Sequence, residues 1–461
     1  MAIKVLKVTT DSELLSYIIN VTPELQGEID LPVQGQDLKP IGKIIMNNER
    51  YKNAFLNTCN LIGLTIISRN NWDNPWENFT NKGLLRYGQQ IRELIVDIAD
   101  VFDYNEYAND PEHFLQNVIP NVYNYMHELN FQKFYKTTTS DEQMAMAFET
   151  EGNLFDFIER IVGSLYEGYK YDKYITDKYQ LQKGLVEGRF TPVQIADYDN
   201  LTPRQRVSKM KSVSNLMTFR SPNYNPAGVR KATPFDNQIA LLNTDFEADM
   251  STDVLATSFF RNEAEMKTRF ALIDGFGNID EERLQELLGD QYEPFTQEEL
   301  QMLSNVPAMV FGDDLFMDYQ YALDNNSGLK QTEFYNPETL KRNHWLHVWA
   351  VISMSPFANG VVFVKDAPGI TSVTINPSTL VATPGQYVQL NAVVVATNFA
   401  NKSVQWSVDT ATGQRNGHLV EVDQTGKVKI PADYDTSKTI KIKATSIYDK
   451  TKTATATISF A

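Results

Sequence analysis

Gly312-Asp313-Asp314 is the residue combination that could most directly carry out chemistry. It lies between the apolar runs PAMVF and LFMDY. In a template-dependent polymerase such a tripeptide places two carboxylates at a strand turn, where they hold Mg²⁺ for phosphoryl transfer. A polymerase also needs a second, separately placed aspartate and a basic template channel. Because the acidic body of this chain argues against such a channel, the pattern favours a plain β-turn.

Two further groups of potential metal ligands are weaker. The run from Asp245 to Asp253 resembles a calcium loop, but it lacks the turn glycine and the terminal glutamate of an EF-hand. Its carboxylates precede or open a predicted helix, where they favour the positive end of the helix dipole. His344 and His347 lie in a strand-like run, and positions three apart in a strand face opposite sides. The pattern predicts no zinc site.

The candidate nucleophiles are isolated. Cys59 is the single cysteine, so no intrachain disulfide can form, and nothing in the sequence places a histidine beside it. His113, His127 and His418 have no chemical partners nearby in the sequence, and no phosphate-binding loop or nucleophile elbow occurs. The sequence therefore predicts no catalytic residue, no cofactor and no metal ligand. For a chain of 461 residues this favours a structural role over an enzyme.

The charge of the chain is unevenly distributed. The net charge is −16, yet residues 369–461 carry nine Lys/Arg against six Asp/Glu. Residues 1–368 carry 33 against 52, a net charge of −19. Duplex affinity comes mainly from cations that neutralise phosphates. So acidic a body is more consistent with a shell that encloses DNA than with a protein that binds DNA tightly.

No segment indicates export or membrane insertion. The N-terminus has no apolar core of signal-peptide length before its first acidic residues. The longest charge-free apolar stretch, 348–364, is broken by Ser, Pro, Asn and Gly and is too short to span a bilayer. We expect a protein made and kept in a reducing cytoplasm.

The first part of the chain indicates an arm followed by an extended hairpin. Short helices are expected over 11–20 and 49–60. An apolar run over 61–68, a long polar loop and a second run over 91–98 predict two strands of a hairpin, and the second strand has three apolar residues on one face: Leu94, Val96 and Ile98. Such a hairpin hides little surface within its own monomer, so we expect it to lie on a neighbour.

A long helix is predicted over 154–183. Apolar residues recur at spacings of three and four, Asn153 is a suitable N-cap and Gly184 a plausible stop. Thirty residues at about 1.5 Å each make a rod of roughly 45 Å, the length of a structural spine. From 191 to 365 short helices and strands alternate irregularly, which is typical of an α+β fold rather than of repeated βαβ units.

The sequence changes character near Gly369. Seven segments with two-residue alternation follow, separated by turn signals such as Pro384-Gly385 and Thr425-Gly426. Seven alternating strands in 93 residues predict an all-β immunoglobulin-like sandwich. Without cysteines, its core depends on Trp406 and the aliphatic side chains around it.

Several residue groups occur in a recognisable order between 60 and 365: Asn74-Pro75 with Phe79 and Lys82-Gly83; Pro120-Asn121-Val122 with His127-Glu128 and Phe134-Tyr135; 245–259; 273–276; and 347–349 with 357–359 and 361–364. In this order they resemble the major capsid proteins of small protein-primed podoviruses, the phi-twenty-nine-like group. The segments 373–375, 404–407, 425–426 and 444–446 are similar to the second group of bacterial immunoglobulin-like domains.

The resemblance implies the fold shared by tailed-phage and herpesvirus capsids. Residues 1–60 would be an N-terminal arm, 61–110 the extended hairpin loop, 111–368 the capsid body with its peripheral and axial domains, and 369–461 the immunoglobulin-like domain. It also implies self-assembly into pentamers and hexamers of an icosahedral or prolate head, assembled in the host cytoplasm. The implied partners are a scaffolding protein, a portal protein and double-stranded DNA enclosed without specific binding, with no membrane.

Three alternatives stay open at this point. Bacterial immunoglobulin-like domains are common in adhesins and surface-layer proteins, although no signal sequence is present. Another virion part, such as a tail or fibre protein, differs from the capsid prediction only through the match over 60–365. An enzyme that uses Asp313 and Asp314 with a metal ion is the third.

Overall fold

A computed structural model describes residues 11–33, 37–55, 58, 72–86, 88, 90–99, 101, 122–148, 157, 163–249, 270–323 and 328–460. Residues 49–55 are helical. The other helices are α1 Asp11–Val21, α2 Lys39–Asn47, α3 Glu77–Thr80, α4 Asp141–Met146, α5 Ser164–Val186, α6 Pro203–Met217, α7 Thr244–Ala248, α8 Glu281–Leu288 and α9 Gln297–Ser304. Short 3₁₀ turns cover Tyr198–Asn200, Phe235–Asn237 and Gly289–Gln291.

The strands before residue 369 are β1 Asn81–Leu85, β2 Gln90–Val96, β3 Val122–Glu128, β4 Phe131–Ser140, β5 Thr191–Gln194, β6 Gln238–Asn243, β7 Phe270–Ile273, β8 Ala308–Gly312, β9 Asp318–Tyr321, β10 Leu329–Asn336, β11 Lys341–Val351 and β12 Gly360–Val364. Those after it are β13 Gly369–Asn376, β14 Thr379–Ala382, β15 Tyr387–Gln389, β16 Asn391–Thr397, β17 Val404–Ala411, β18 Glu421–Val422, β19 Lys427–Lys429, β20 Ile440–Ser446 and β21 Thr453–Phe460.

The first sheet is built around the long strand β11. This strand pairs with β10 on one edge and with β4 on the other, and its C-terminal end reaches β9, which pairs in turn with β1. Alternate β11 residues are buried: Arg342, His344, Leu346, Val348 and Ala350. Leu346 and Val348 belong to the same hydrophobic core as α1 and α5. One face of the sheet is therefore covered by helices.

The second sheet, ordered β5-β12-β8-β6-β7, is buried on both faces. Ile239 and Leu241 of β6 pack into the core shared with α5, whereas Ala240 and Leu242 pack on the other side with Val207 and Met210 of α6. Strands buried on both faces read as continuous apolar runs. This explains why IALL, AMVF and VVFV show no alternation in the sequence.

The long helix is confirmed, but its predicted end at Gly184 is wrong. The described helix starts at Ser164, while the predicted cap Asn153 lies outside the described residues. The helix continues to Val186, two residues past Gly184. A Cβ on Gly184 would lie 3.0 Å from the Met354 side chain and 3.1 Å from Phe190, so this glycine allows close packing. Gly188, with a φ of +74°, is where the chain leaves the helix.

The structure describes one strand of the predicted hairpin. The apolar run over 61–68 lies outside the described residues. The second run forms β2, whose described partner is the antiparallel strand β3, with Val96 opposite Val122 and Gln90 opposite Glu128. This partner lies within 111–368, the range predicted as the capsid body.

After residue 368 the chain forms nine strands in sheets of two, four and three. They enclose a separate core of alternate strand residues around the buried Trp406. The seven predicted segments are all strands here, with β14 in addition. The predicted segment through Val388, Leu390 and Ala392 is divided into β15 and β16 at Leu390, which is fully buried and donates its N–H to Gly426.

One loop attaches this β-sandwich to the body. Asn398 and Phe399 both have positive φ, at 48° and 62°, and the Phe399 side chain is buried in the body core while Ala400 belongs to the sandwich core. Gly188, at the end of α5, lies against this loop, where a Cβ would come within 2.8 Å of the Ala400 carbonyl oxygen. A positive φ is strained for residues other than glycine. Burial of the Phe399 ring offsets this strain energy.

Replacing Phe399 with Ala should loosen the sandwich from the body. Truncating a buried Phe typically costs about 3–5 kcal/mol, and the ring links two otherwise separate cores. We expect limited proteolysis of Phe399→Ala to cleave near residues 365–368 several times faster than in the wild type. The matched control is Phe219→Ala, which removes a phenyl ring that is 69% exposed. Equal cleavage rates in all three proteins would contradict the attachment.

Candidate assembly surface

The outward side of the β2–β3 hairpin is exposed and carries both apolar and polar residues. The strand register places Leu94, Val96, Val122 and Met126 on this side together with Gln90, Arg92, Asn124 and Glu128, and the four apolar residues are called the hairpin face. Their exposed fractions are 51, 60, 54 and 46%. Leu94, Val96 and Val122 adjoin one another at one end of the ribbon; single exposed apolar residues are ordinary, but a cluster of them is typical of an interaction surface.

The inward side of the hairpin is fixed to the body by polar groups. His127 is buried, and its Nδ1 lies 2.8 Å from the Ser353 hydroxyl while its Nε2 lies 3.3 Å from Glu93. The Ser355 hydroxyl donates to both carboxylate oxygens of Glu93, at 3.0 and 2.8 Å. Arg230 adds an ion pair of 3.3 Å to Asp97. These contacts hold the ribbon so that its apolar side points away from its own subunit.

The environment of Glu93 favours the charged form of its carboxyl group. Burial raises its pKa, but the hydrogen bonds from His127 and Ser355 outweigh burial and hold the pKa below its ordinary value. A carboxyl with a lowered pKa in the folded state stabilises the structure fully above its unfolded pKa. That contribution is lost as the pH falls through the folded value.

A second exposed surface lies on the side of the first sheet opposite its helices. Phe134, Trp345 and Phe334 lie on this side, with Phe134 and Phe334 each 61% exposed, and Lys136 lies over the Trp345 ring at 5.5 Å. This surface, called the aromatic face, contains three lysines and no acidic residue; its members are Gln132, Phe134, Lys136, Thr138, Ser140, Lys330, Thr332, Phe334, Asn336, Lys341, Asn343, Trp345, His347 and Trp349. In a body with a net charge of −19 this is an unusual concentration.

Gly312-Asp313-Asp314 lies in a turn that closes β8. The Leu315 N–H donates to the Gly312 carbonyl oxygen at 3.0 Å, as in a β-turn. Asp314 is paired with Lys231, and the Lys82 amine donates to the Asp313 carbonyl oxygen at 2.5 Å. Burial and the neighbouring Asp314 raise the pKa of Asp313. The Asp314 carboxyl and the Asp313 backbone are therefore engaged in holding a turn.

The structure keeps the two histidines of β11 apart, as predicted. His344 is buried, its Nε2 lies 3.0 Å from the Thr139 hydroxyl, and burial together with Arg342 lowers its pKa to about 4. His347 is on the aromatic face, 2.9 Å from the Thr332 hydroxyl. His418 lies on the sandwich surface with Asp433.

The acidic run begins with α7, where Asp245 and Glu247 occupy the first turn and the Asn243 side chain caps the helix. The predicted helix over 251–260 lies outside the described residues, as do Cys59 and His113. Within the described ranges, no three His, Cys, Asp or Glu side chains form a group that could hold a metal. No helix in the same ranges is long and apolar enough to cross a membrane.

Sequence reasoning missed the polar anchor of the hairpin. His127 was treated as isolated because Glu93, Ser353 and Ser355 are distant in the sequence. A partial signal existed: Glu93 interrupts an apolar strand on the side opposite Leu94 and Val96. Only the pairing of β2 with β3 brings Glu93 and His127 together.

Comparison with known proteins decides between the classes that this surface leaves open. The family model for the Phi29-like phage major capsid protein matches residues 19–364, which is three quarters of the chain. The chain belongs to this family. The match covers both sheets, the long helix and the hairpin, and it ends before the β-sandwich.

Two curated relatives align over more of the chain than the family model, and a third over less. The major capsid protein of Bacillus phage PZA is 28% identical over 408 residues, covering 87% of this chain and 82% of the relative. The major capsid protein of Bacillus phage B103 is 27% identical over 444 residues, covering 95% of this chain and 90% of the relative. The major capsid protein of Streptococcus phage Cp-1 is 22% identical and covers 54% of this chain and 72% of its own.

Solved structures of phage capsids show weaker similarity. A chain in the capsid structure of Staphylococcus phage Andhra has a TM-score of 0.43 at 16% identity, covering 65% of this chain and 84% of its own. A chain in the capsid structure of cyanophage P-SCSP1u has a TM-score of 0.40 at 9% identity, covering 63% of this chain and 88% of its own length. Both scores lie below 0.5, so the architecture described above rests on the strand pairing of this chain alone.

Replacing Glu93 with Gln should detach the hairpin while leaving the body folded. Hydrogen bonds to a charged group contribute about 1.5–3 kcal/mol, so amide hydrogen exchange over 90–96 and 122–128 should accelerate by about tenfold or more. In the wild type, the same acceleration should appear as the pH falls below the ordinary glutamate range, after correction for intrinsic exchange. The control is Glu128→Gln, an exposed acid on the same hairpin. Equal acceleration in both variants would contradict the anchor.

Proposed function

We propose that the chain assembles into the icosahedral or prolate head shell that encloses a phage genome. The family match over 19–364 is the observation that carries this proposal. It favours the shell over an adhesin or a tail or fibre protein, because the relatives are major capsid proteins along most of their length. The acidic body fits the same role, since a wall of net negative charge lets packaged DNA slide against it.

The hairpin face is the contact that we assign to a neighbouring copy. It is exposed in the single subunit, and the anchor of His127 and Glu93 keeps it pointing outward. The aromatic face is its proposed partner surface, because it offers exposed phenyl and indole rings and lacks acidic groups that would be buried against the apolar residues of the hairpin face. The hairpin of one copy would thus cover the first sheet of the next.

The expected strength of this contact suits a closed shell. Fully burying a Val, Leu or Met side chain contributes about 1.5–3 kcal/mol, and four such residues must overcome an association cost of about 4–15 kcal/mol. One hairpin contact is therefore marginal. A ring of copies, each giving and receiving one, forms many weak contacts at once, which allows the same sequence to occupy several similar positions.

The β-sandwich is part of the proposal as a bacterial immunoglobulin-like domain over 369–461. Its nine-strand sandwich and the core around Trp406 support this assignment, and the alignment that covers 95% of the chain must extend into it. We place it on the outside of the shell, where its net charge of +3 lets it tie neighbouring capsomers or bind host surfaces. Because Phe399 fills part of the body core, truncation after Pro368 would also expose that core.

The remaining partners are proposed with the role. A scaffolding protein would guide closure, a portal protein would occupy one vertex, and assembly would take place in the host cytoplasm. DNA would be enclosed without specific binding. No enzymatic activity is proposed, because the Asp314, His344 and His347 side chains have structural partners and the Asp313 backbone is held in the same turn.

Replacing Leu94 with Asp should prevent assembly without unfolding the subunit. The residue is half exposed in the monomer, so its free energy of unfolding should change by only about 0.5 kcal/mol, whereas a buried unpaired charge in the contact is far costlier. Negative-stain microscopy of wild type, alone and with candidate scaffolding proteins, should show shells or hexamer sheets, and Leu94→Asp should show neither. The matched control is Leu216→Asp, with an exposed fraction of 52% on α6. Normal shells from Leu94→Asp would contradict the contact.

Thiol crosslinking tests which surface receives the hairpin. In a Cys59→Ser background, Leu94→Cys combined with Phe134→Cys should give a ladder of covalent multimers when assembled shells are treated with a short bifunctional thiol reagent. Leu94→Cys combined with Leu216→Cys is the control and should give monomers. Ladders of equal intensity from both pairs, or from neither, would contradict the pairing of the two faces.

A further inference from the structure

A lysine and two aspartates are buried together where α5 passes β9. Lys173 and Asp177 lie one turn apart on α5, and Asp318 opens β9; their exposed fractions are 4, 0 and 2%. The Lys173 Nζ lies 4.0 Å from Asp318 Oδ2, too far for a hydrogen bond. Within the ranges that the structure describes, the Lys173 amine has no hydrogen-bond partner. The Asp177 carboxyl lies beside that of Asp318 and beside the fully buried Thr80 hydroxyl.

A structural ion pair does not account for this arrangement. Buried charges are normally paired at hydrogen-bond distance, and an unsatisfied buried charge is costly. Two carboxyls that lie side by side away from water cannot both stay ionised. Burial raises the pKa of Asp177, and burial with the charge of Asp177 raises the pKa of Asp318. One proton is therefore held between them, so that one carboxyl is a neutral acid and the other is the counterion of Lys173.

We propose that Lys173 and Asp318 condense into an amide that covalently joins α5 to β9, with Asp177 transferring the protons. The Lys173 ammonium gives a proton to the Asp177 carboxylate, and the free amine attacks Cγ of the neutral Asp318 acid. A C–N bond forms and the C–O bond to the acid hydroxyl breaks. Asp177 returns a proton to that hydroxyl, which leaves as water, and takes up the second amine proton. The products are one amide, one water and a neutral Asp177, and no oxidant or external reagent is consumed.

The surroundings favour this reaction. The long flexible stem of a lysine lets its amine cover the remaining distance to the carboxyl carbon. Phe79 precedes Thr80 in the chain and Phe316 lies two residues before Asp318; both rings are buried, with centroids 5.8 Å apart, so the neighbourhood is apolar. The Thr80 hydroxyl lies beside Asp177 and would orient that carboxyl for proton transfer. The product replaces a buried ion pair with neutral groups, which removes a desolvation cost.

Glu77 is the other charged group that acts on this cluster. It lies on α3, the same short helix as Thr80, and its charge further raises the pKa of Asp177. It therefore strengthens the tendency of the pair to retain a proton. The bond itself is independent of the proposed shell; if the shell forms, each subunit within it would carry a covalent tie between its long helix and its first sheet.

Mass spectrometry of the purified full-length chain tests the proposal. The intact wild-type mass should be lower by one water than its sequence requires. Proteolytic digestion should give one branched peptide that contains both Lys173 and Asp318. Asp177→Asn and Asp318→Ala should each have the full sequence mass. The control is Asp314→Asn, which alters an aspartate paired with a lysine elsewhere, Lys231, and should retain the loss of water.

The wild-type mass should be measured for both the free protein and assembled particles. This measurement alone tests for the amide bond, even if a variant fails to fold. A full-length wild-type mass in both preparations, with Lys173 recovered in an unbranched peptide, would overturn the proposal. A water loss that persists in Asp318→Ala would also overturn it, because the bond would then involve another carboxyl.

Discussion

The burial of α5 on nearly all sides is the constraint on which the rest of the body depends. The helix carries the charged residues Asp172, Lys173, Asp177 and Lys178 in buried positions, and burying charged groups is costly unless neighbouring groups pair with them. Arg283 of α8 forms a two-pronged pair with Asp172 at 2.8 and 2.9 Å. Lys178 donates to Asp274 at 2.5 Å after β7. The polar contacts of the helix thereby fix both sheets around it.

This arrangement explains which surfaces remain for other copies. The second sheet is buried between α5 and α6, so it offers no face, and the helix-covered side of the first sheet is used in the same way. Within the part of the chain that the structure describes, the aromatic face and the outward side of the hairpin stay exposed, while the inward side of the hairpin is held by His127 and Glu93. Contacts with further copies of the chain, as in a shell, would cover the two exposed surfaces.

The sequence predicted the parts of the fold that follow from local pattern. The period of α5 and the alternation of the sandwich strands could be read directly, because in both cases one side of each element is apolar. Strand β14 was missed because TLVA is short, and the end of α5 was misplaced because a glycine that permits packing looks like one that stops a helix. The pairing of β2 with β3 was missed because VYNYMHE has little apolar alternation. That pairing brings His127 to Glu93, a contact between residues far apart in the chain.

The candidate surfaces were accessible to sequence reasoning only in part. Exposed apolar residues at Leu94 and Val96 pointed to a hairpin that lies on a neighbour, and that remains a proposal. The aromatic face could not be foreseen, because it combines β10 and β11 with β4, a strand far from them in the chain. The cluster of Lys173, Asp177 and Asp318 was hidden for the same reason: a helix and a strand 145 positions apart meet only in the folded protein.

The central claim is that the hairpin of one copy lies on the first sheet of the next in a closed shell. A cryo-electron microscopy map of particles formed by the full-length chain tests it most directly. The account predicts density for 90–96 and 122–128 packed on Phe134, Phe334 and Trp345 of an adjacent copy. A map in which the hairpin face points to solvent, or contacts only its own subunit, would contradict it.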